Sequence, residues 1–260
     1  MQVSNVPTGK PSRGIPRSTA RAGWPALAIC LALGTAGCKS TTAAIDDIPT
    51  GSVPALADTA PFGDDARSHA MLGTVPVAFT NRNWLFKWWR AREPGTAAFL
   101  KGYCAGEDIC SDKRFAYLRE TVAEARSMPP VRRIEAANRA VNSVLSYREE
   151  DQAAANSDYW QSFMETVERG TGDCEDYAVM KYHVLRAMGV RAEAMTLLVL
   201  KNASNGDYHA VLAVSLDGRN LMLDSLTDRI LDDDLEGDYQ VLFSFNGDDM
   251  RIHGTRVAAL

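Results

Sequence analysis

The residue in this sequence best placed for covalent chemistry is Cys174. It follows Gly172-Asp173, and apolar residues at helical spacing begin directly after it. The pattern therefore places the thiol in the first turn of a helix, where the positive end of the helix dipole and unpaired backbone N–H groups favour a thiolate and can bind an oxyanion. We predict that Cys174 is a nucleophile, with a buried and unreactive cysteine as the alternative.

A thiol nucleophile needs a general base, and the chain holds four histidines. His183 is nine residues along the same predicted helix, about 13 Å of rise from the thiol, which is too far. His69 precedes the predicted domain, and His253 lies near the C-terminus, where we expect the chain to fray. His209 is left as the predicted base.

The strand pattern around His209 places an acid beside it. If Asp217-Gly218 forms a two-residue hairpin turn, His209 and Asp224 become diagonal neighbours on one face of the sheet, about 7 to 8 Å apart at the backbone. An aspartate at that position can hold the imidazole by a hydrogen bond, whereas a four-residue turn shifts the register by two residues and weakens the pairing. With Cys174, the order of nucleophile, base and orienting acid is that of a cysteine hydrolase.

The elements that must position these residues are predicted as helices followed by strands. Apolar residues at helical spacing predict helices at residues 115–125, 131–145 and 174–188. Gly189 is placed as the C-terminal cap of the third helix. Short segments rich in Leu, Val and Phe predict antiparallel strands at residues 192–200, 209–216, 220–224 and 239–245. This order predicts an α+β domain in which the helix carrying Cys174 packs on an antiparallel sheet.

Composition and charge limit the classes of partner. The 46% apolar content of the 260 residues indicates a globular domain with a core. Residues 1–38 hold four basic and no acidic side chains, which leaves 24 basic and 33 acidic side chains from Lys39 onward. Because phosphate binding needs a basic surface, so acidic a domain excludes nucleic acid as a partner.

The N-terminal segment has the order of a secretory signal peptide. Arginines precede an apolar run at residues 24–33, and small residues lead to Cys38. Ala36-Gly37-Cys38 resembles a bacterial lipobox, which predicts acylation of Cys38; ordinary cleavage and an uncleaved anchor are the alternatives. The protein is then expected in the periplasm or cell envelope, anchored by lipid. We predict a signal peptide at residues 1–37, a flexible tether at 38–75 and a folded domain at 76–260.

Export changes how the five cysteines are interpreted. Cys30 leaves with the signal peptide and Cys38 carries the lipid. In an oxidising compartment Cys104 and Cys110, with five residues between them, are the natural disulfide pair. Cys174 is left unpaired, as a nucleophile must be.

Together these residues resemble those of a known family. The resemblance is carried by Gly172-Asp173-Cys174-Glu175-Asp176-Tyr177-Ala178, Asp158-Tyr159-Trp160, His209-Ala210-Val211-Leu212 and Leu223-Asp224. They are similar to the bacterial transglutaminase-like cysteine peptidases, which include the LapG-type periplasmic proteases. The similarity covers residues 76–248 and includes Cys104, Cys110, Val141-Asn142 and Tyr147. It implies a papain-like or transglutaminase-like fold with Cys174, His209 and Asp224 as the triad. Ser225 stands where many members carry asparagine.

The resemblance implies a thiol peptidase that cleaves another protein. In LapG-type members the substrate is a large surface adhesin, and an inner-membrane receptor regulates the protease. Transglutaminase-type acyl transfer to an amine uses the same thioester intermediate and is one alternative function. A non-catalytic envelope binding module is the other, although a binding module has no need of an ordered catalytic triad.

Three carboxylates flank the thiol and indicate a need for counter-charge. Asp173, Glu175 and Asp176 would raise the pKa of Cys174 and oppose the thiolate. Protonated His209 compensates one charge, and a calcium ion with oxygen ligands would compensate two more. The family resemblance implies calcium at Asp173 and Glu175, with Asp176 as a further ligand. The alternative is that the three acids only cap and solvate the helix.

Overall fold

The computed structural model describes residues 71–93, 95–101, 112–149, 158–232 and 239–254. Within these ranges the helices are α1 (Arg82–Arg92), α2 (Gly95–Lys101), α3 (Lys113–Ala125), α4 (Pro130–Val144), α5 (Phe163–Arg169) and α6 (Cys174–Ala187). The strands are β1 (Val75–Phe79), β2 (Ser146–Tyr147), β3 (Thr171–Gly172), β4 (Met195–Asn202), β5 (Tyr208–Leu216), β6 (Arg219–Leu223), β7 (Leu231–Asp232), β8 (Tyr239–Asn246) and β9 (Asp249–Gly254). Among the described helices, none has the length and apolar character that crossing a bilayer requires.

Seven of the strands form one antiparallel sheet in the order β1-β9-β8-β4-β5-β6-β7. β2 and β3 pair in parallel as a separate two-stranded sheet. The six described α-helices lie between β1 and β4, so that six of the seven strands of the large sheet follow them in sequence, and this arrangement confirms the predicted α+β class. Residues 192–194, predicted as the start of a strand, form a 3₁₀ turn, so that β4 begins at Met195.

Helix α6 is the central helix of the domain. It packs against β5 and against all five described helices before it in the chain, α1 to α5. Ala178, Leu185 and Met188, which were predicted to face the sheet, are all buried. Gly189 follows with a φ of 92°, the left-handed conformation in which glycine ends a helix. Since α6 lies against β5, the residue at its N-terminus is held beside the sheet.

The β5–β6 hairpin has the predicted two-residue turn. Leu216 pairs with Arg219, and the two residues between them, Asp217 and Gly218, have φ values of 52° and 76°. Two successive positive φ values are those of a type I′ turn, whose twist matches that of the paired strands. In this register Leu223, the last residue of β6, lies opposite Leu212. The residues that follow β6 are therefore next to the first half of β5.

Two strands near the ends of the domain were not predicted. β1 pairs with β9 along its whole length, from Val75 opposite Gly254 onward. The prediction that His253 lies in a fraying terminus was wrong, because His253 is in β9 and is buried. Its two ring nitrogens hydrogen-bond to the hydroxyls of Thr74 and Ser244, each at 2.8 Å. Met71 and Thr74, which lie within the predicted tether, are thus buried parts of the folded domain.

Candidate active site

The N-terminus of α6 is fixed by a capping box formed by Asp173 and Asp176. Asp176 Oδ2 accepts a hydrogen bond from the backbone N–H of Asp173 at 3.4 Å. This box pairs N–H groups that a helix start otherwise leaves unpaired, and the helix begins at Cys174. Cys174 is a free, partly buried thiol, and the backbone N–H of Ala210 hydrogen-bonds to it. The nucleophile therefore lies against β5 at the residue after His209.

His209 and Asp224 are paired as the hairpin register predicted. His209 is near the start of β5 and Asp224 directly follows β6, and His209 Nε2 lies 2.8 Å from Asp224 Oδ1. Both side chains are buried. The ring of Tyr239 covers one side of the imidazole, with ring centroids 5.8 Å apart. The carboxylate accepts from Nε2–H, so Nδ1 of the neutral ring carries a lone pair that can take a proton.

Helix α4 holds the loop that carries Asp224. Asn142 Nδ2 donates to the carbonyl oxygens of Asp224 and Thr227, both at 3.1 Å, and to Asp228 Oδ1 at 3.0 Å. Asn138 Nδ2 also donates to the Thr227 carbonyl, at 3.0 Å. The acid of the candidate triad is therefore positioned by side chains that lie more than 80 residues earlier in the chain.

The charges around Cys174 oppose its ionisation. Burial, followed by the charge and hydrogen bonding of Glu175 and the charge of Asp173, raises the pKa of the thiol, while the N–H of Ala210 acts in the opposite direction. The Cys174 thiol donates to Glu175 Oε2 at 3.2 Å. Burial and the neighbouring Asp173 also raise the pKa of Glu175. Glu175 and Asp173 thus shift the pKa of the thiol in the predicted direction.

Asp176 is turned away from the thiol into the protein. Its Oδ1 accepts from the backbone N–H of Gln161 at 2.7 Å, and its Oδ2 accepts from the Gln161 side-chain amide as well as from Asp173. Burial and the charge of Asp173 raise the pKa of Asp176 to about 7. Because both oxygens are used in this way, Asp176 joins the segment before α5 to the start of α6. Sequence reasoning did not identify Gln161.

The donor set next to the thiol consists of two adjacent carboxylates, those of Asp173 and Glu175. Carboxylate oxygens are the ligands that calcium prefers. Nevertheless, no group of three or more His, Cys, Asp or Glu side chains within the described ranges is arranged to hold a metal ion. Asp173 and Glu175 supply two carboxylates of the kind that calcium binds, and both oxygens of the third predicted ligand, Asp176, already accept hydrogen bonds from Gln161 and Asp173.

Helix α6 also carries a buried lysine, Lys181, two turns after Cys174. Lys181 is fully buried, and among the described residues none hydrogen-bonds to its Nζ, which is 5.8 Å from the centroid of the Tyr177 ring. Burial lowers the pKa of Lys181 to about 7, against the opposing charges of Asp224 and Asp228. Sequence analysis did not identify Lys181. The feature that could have indicated it is its position as a charged residue in the mainly apolar segment 177–185.

The predicted lipidation and disulfide residues cannot be compared with this geometry. Cys38, Cys104 and Cys110 lie outside the described residues, as does the whole of the predicted signal peptide. Their assignments stay predictions.

A thiol at a helix N-terminus, packed on an antiparallel sheet beside a histidine and an aspartate, is the arrangement of a transglutaminase-like cysteine peptidase. The model of the bacterial transglutaminase-like cysteine proteinase (BTLCP) family matches residues 99–243, more than half of the chain. The protein belongs to this family and is a cysteine peptidase, as its sequence predicted.

The solved structures similar to this one include Legionella pneumophila LapG. One of them has 27% sequence identity and a TM-score of 0.52, over 61% of this chain and 87% of that chain. A calcium-bound form has 26% identity and a TM-score of 0.52, over 64% and 91% of the two chains. An EGTA-treated form has 27% identity and a TM-score of 0.52, over 61% and 85%. Among curated protein sequences none matches significantly. The likeness agrees with the papain-like or transglutaminase-like fold expected from the sequence.

Proposed function

We propose that the protein is a cell-envelope thiol peptidase that cleaves a protein substrate by means of Cys174, His209 and Asp224. The observation that carries this proposal is the 2.8 Å contact between His209 Nε2 and Asp224 Oδ1, on the strand against which the thiol lies. Since the carboxylate holds Nε2, the imidazole presents Nδ1 for exchange of a proton with the thiol.

The reaction starts with transfer of the Cys174 thiol proton to His209 Nδ1. The sulfur then bonds to the substrate carbonyl carbon, and the carbonyl electron pair moves to the oxygen, which accepts a hydrogen bond from the backbone N–H of Cys174. His209 returns the proton to the leaving amine as the C–N bond breaks, and a thioester remains. His209 then takes a proton from water, and the hydroxide attacks the thioester carbonyl carbon. The C–S bond breaks, the second product leaves as a carboxylic acid, and the proton on His209 returns to the Cys174 sulfur.

Alkylation by iodoacetamide at pH 7 tests this assignment without knowledge of the substrate. We expect Cys174 to react faster than a model thiol when the cofactor requirement is met, and His209→Ala to slow labelling about tenfold or more, because the base is lost. His69→Ala, the same change outside the described residues, is the control and should label like the wild type. Equal labelling of Cys174 in both variants, quantified by peptide mass spectrometry, would contradict the assignment.

The proposed substrate is a surface adhesin, and an inner-membrane regulatory receptor is the proposed partner. Membership of the family supports a protein substrate, and the likeness to LapG supports the finer assignment by analogy. Cys174→Ala, expressed in the native envelope, is expected to retain the uncut substrate. With the retained substrate identified, recovery of an amine-linked product instead of two fragments from the wild-type protein would favour acyl transfer.

Localisation at the envelope is proposed through acylation of Cys38. The signal-like residues before Cys38 support it. Cys38→Ser is expected to release a soluble periplasmic protein, which fractionation would detect. Continued membrane retention of that variant would point to an uncleaved anchor or to a tightly bound membrane partner.

Calcium is the proposed cofactor, with Asp173 and Glu175 as ligands. Burial and then the charge of Asp173 raise the pKa of Glu175, and this unfavourable placement of negative charge supports the proposal, as does the existence of a calcium-bound LapG structure. When bound, the ion would supply the positive charge that lets the thiol ionise. EGTA should then abolish rapid alkylation, and calcium should restore it and raise Tm.

Asp173→Asn is the matched variant for the calcium proposal. Asparagine caps a helix as well as aspartate does, so the variant removes a charge and leaves the cap. We expect it to lose the calcium-dependent rise in Tm. A wild type that alkylates at the same rate in EGTA and in calcium would contradict the cofactor and leave the thiol mechanism intact.

A further inference from the structure

Tyr147 is held beside the nucleophile by the small parallel sheet. β2 pairs with β3 so that Tyr147 lies opposite Gly172, two residues before Cys174. Main-chain hydrogen bonds on both sides fix this position, from the N–H of Ser146 to the Gly170 carbonyl at 3.0 Å and from the N–H of Arg148 to the Gly172 carbonyl at 2.9 Å. The backbone of Tyr147 is therefore placed by the same strand that leads into the nucleophile.

The ring of Tyr147 packs beside Tyr177, on the face of α6 that also carries Cys174. Its centroid is 6.1 Å from that of the Tyr177 ring. Cys174 and Tyr177 are three residues apart in a helix, and side chains at this spacing share one face. Burial and then the charge of Cys174 raise the pKa of Tyr147, with Asp173 and Glu175 contributing, which agrees with a position at the rim of the site. The phenol thus stays protonated and can donate.

The hydroxyl of Tyr147 is available to a ligand. The residue is 47% exposed, and within the described ranges its ring packs beside Tyr177 and lies near the charges of Cys174, Glu149, Asp173 and Glu175. Among the described residues none is hydrogen-bonded to its hydroxyl. A protonated, solvent-exposed donor next to the start of the helix that carries the thiol is suited to bind a developing negative charge.

We propose that Tyr147 is a further catalytic residue, whose hydroxyl donates a hydrogen bond to the substrate oxyanion formed by attack of Cys174. The proposal rests on the function proposed above. As the S–C bond forms, the carbonyl electron pair moves to oxygen, and the hydroxyl of Tyr147 and the N–H of Cys174 both donate to it. No proton leaves Tyr147. When the electron pair returns, the C–N bond breaks and the proton held by His209 goes to the amine.

Two reagents separate this role from a structural one. p-Nitrophenyl acetate acylates a thiol through a tetrahedral oxyanion, whereas iodoacetamide alkylates it at a saturated carbon, where no oxyanion forms. In Tyr147→Phe we expect acylation of Cys174 to fall about 100-fold, the usual effect of removing one oxyanion donor, while alkylation stays close to the wild-type rate. Tyr208→Phe, a change at an exposed tyrosine next to His209, should leave both rates unchanged.

The outcomes distinguish the two proposals. Acylation at the wild-type rate in Tyr147→Phe would overturn the oxyanion role, and so would an equal loss of acylation and alkylation, which indicates a disturbed site. A wild type whose Cys174 is alkylated but forms no acetyl-enzyme, measured by mass spectrometry, would contradict the proposed peptidase function and with it the role of Tyr147. If the wild type is acylated and Tyr147→Phe is acylated at the same rate, only the role of Tyr147 is contradicted, and the proposed peptidase function stands.

Discussion

The charge state of Asp224 decides which ring nitrogen of His209 carries the proton, and opposing interactions set the pKa of Asp224. Burial acts to raise the pKa of Asp224, but the hydrogen bond and charge of His209, together with the N–H of Leu226 at 2.9 Å and the charge of Lys181, hold it below its ordinary value. The side chain is therefore a carboxylate at neutral pH. A carboxylate only accepts hydrogen bonds, so it selects the tautomer of His209 that is protonated at Nε2.

Replacement of Asp224 should reveal this orienting role. An asparagine amide can donate to the ring as well as accept from it, so it no longer selects the tautomer protonated at Nε2, and alanine leaves the ring unheld. We expect both Asp224→Asn and Asp224→Ala to lower the rate of Cys174 alkylation at pH 7 about 100-fold or more. Rates measured against pH would show whether the base is affected. Equal rates for Asp224→Ala and the wild type would remove Asp224 from the triad.

Glu175 controls the ionisation of the thiol at the same scale. Burial raises the pKa of Cys174 most, and the charge of Glu175 raises it further. In EGTA, Glu175→Gln is therefore expected to lower the thiol pKa and to speed alkylation at pH 7, about tenfold for each unit by which the pKa falls. A pH profile of alkylation measures the shift. A slower reaction in this variant would show that Glu175 assists the thiol instead of opposing it.

At the scale of elements, the approach of β3 to α6 sets the direction of the nucleophile. Gly172 is so close to α6 that a Cβ added there would lie 2.6 Å from Asp176 Cβ. A side chain cannot occupy that distance, so β3 reaches the helix only because residue 172 is glycine. The same contact places Asp176 where it can bind Gln161, which joins the segment before α5 to α6.

Gly172→Ala should therefore displace the first turn of α6. We expect the free energy of unfolding to fall by about 1 to 3 kcal/mol and the alkylation of Cys174 to slow. Gly254→Ala is the control, because an added Cβ there meets no atom within 4 Å. Urea unfolding of the two variants measures the difference. Equal stability of both would show that the contact between β3 and α6 relaxes at little cost.

At the scale of the whole molecule, two buried histidines connect distant segments in their neutral form. His183 in α6 is fully buried, with Nδ1 2.7 Å from Thr96 Oγ1 and Nε2 3.3 Å from the Ala91 carbonyl. A carbonyl only accepts, so Nε2 carries the proton and Nδ1 accepts from the threonine. Burial lowers the pKa of His183 to about 4, and it does the same for His253 between Thr74 and β8.

These two groups should make the fold sensitive to acid. The ordinary histidine pKa is 6.5, so between pH 6.5 and 4 the unfolded chain binds protons that the folded chain does not. The contribution of these two histidines to the free energy of unfolding is therefore full above pH 6.5 and decreases as the pH falls towards 4, by about 3 kcal/mol for His183, whereas the raised pKa of Asp176 changes stability in the opposite direction over this range. His183→Gln, which cannot titrate, should flatten this dependence in urea unfolding at several pH values. An unchanged slope would contradict it.

The sequence by itself determined the parts of this protein that depend on local pattern. Asp173 before an apolar period starts a helix at Cys174, and Asp217-Gly218 fixes a turn of two residues, from which the pairing of His209 with Asp224 follows by counting. These features involve residues close in sequence, or strands joined by one turn, so the physics of caps and turns is sufficient to predict them.

Only the tertiary structure decided which partners meet across the chain. It placed His253 against Thr74, 179 residues away, turned Asp176 from the thiol towards Gln161, and brought Tyr147 beside Gly172. Each of these contacts joins segments whose own patterns do not specify the other, because their pairing is selected by how the helices and the sheet bury a common core. Local pattern therefore pointed to Cys174 as the candidate nucleophile, whereas the packing of the whole domain determined the charges and donors that surround it.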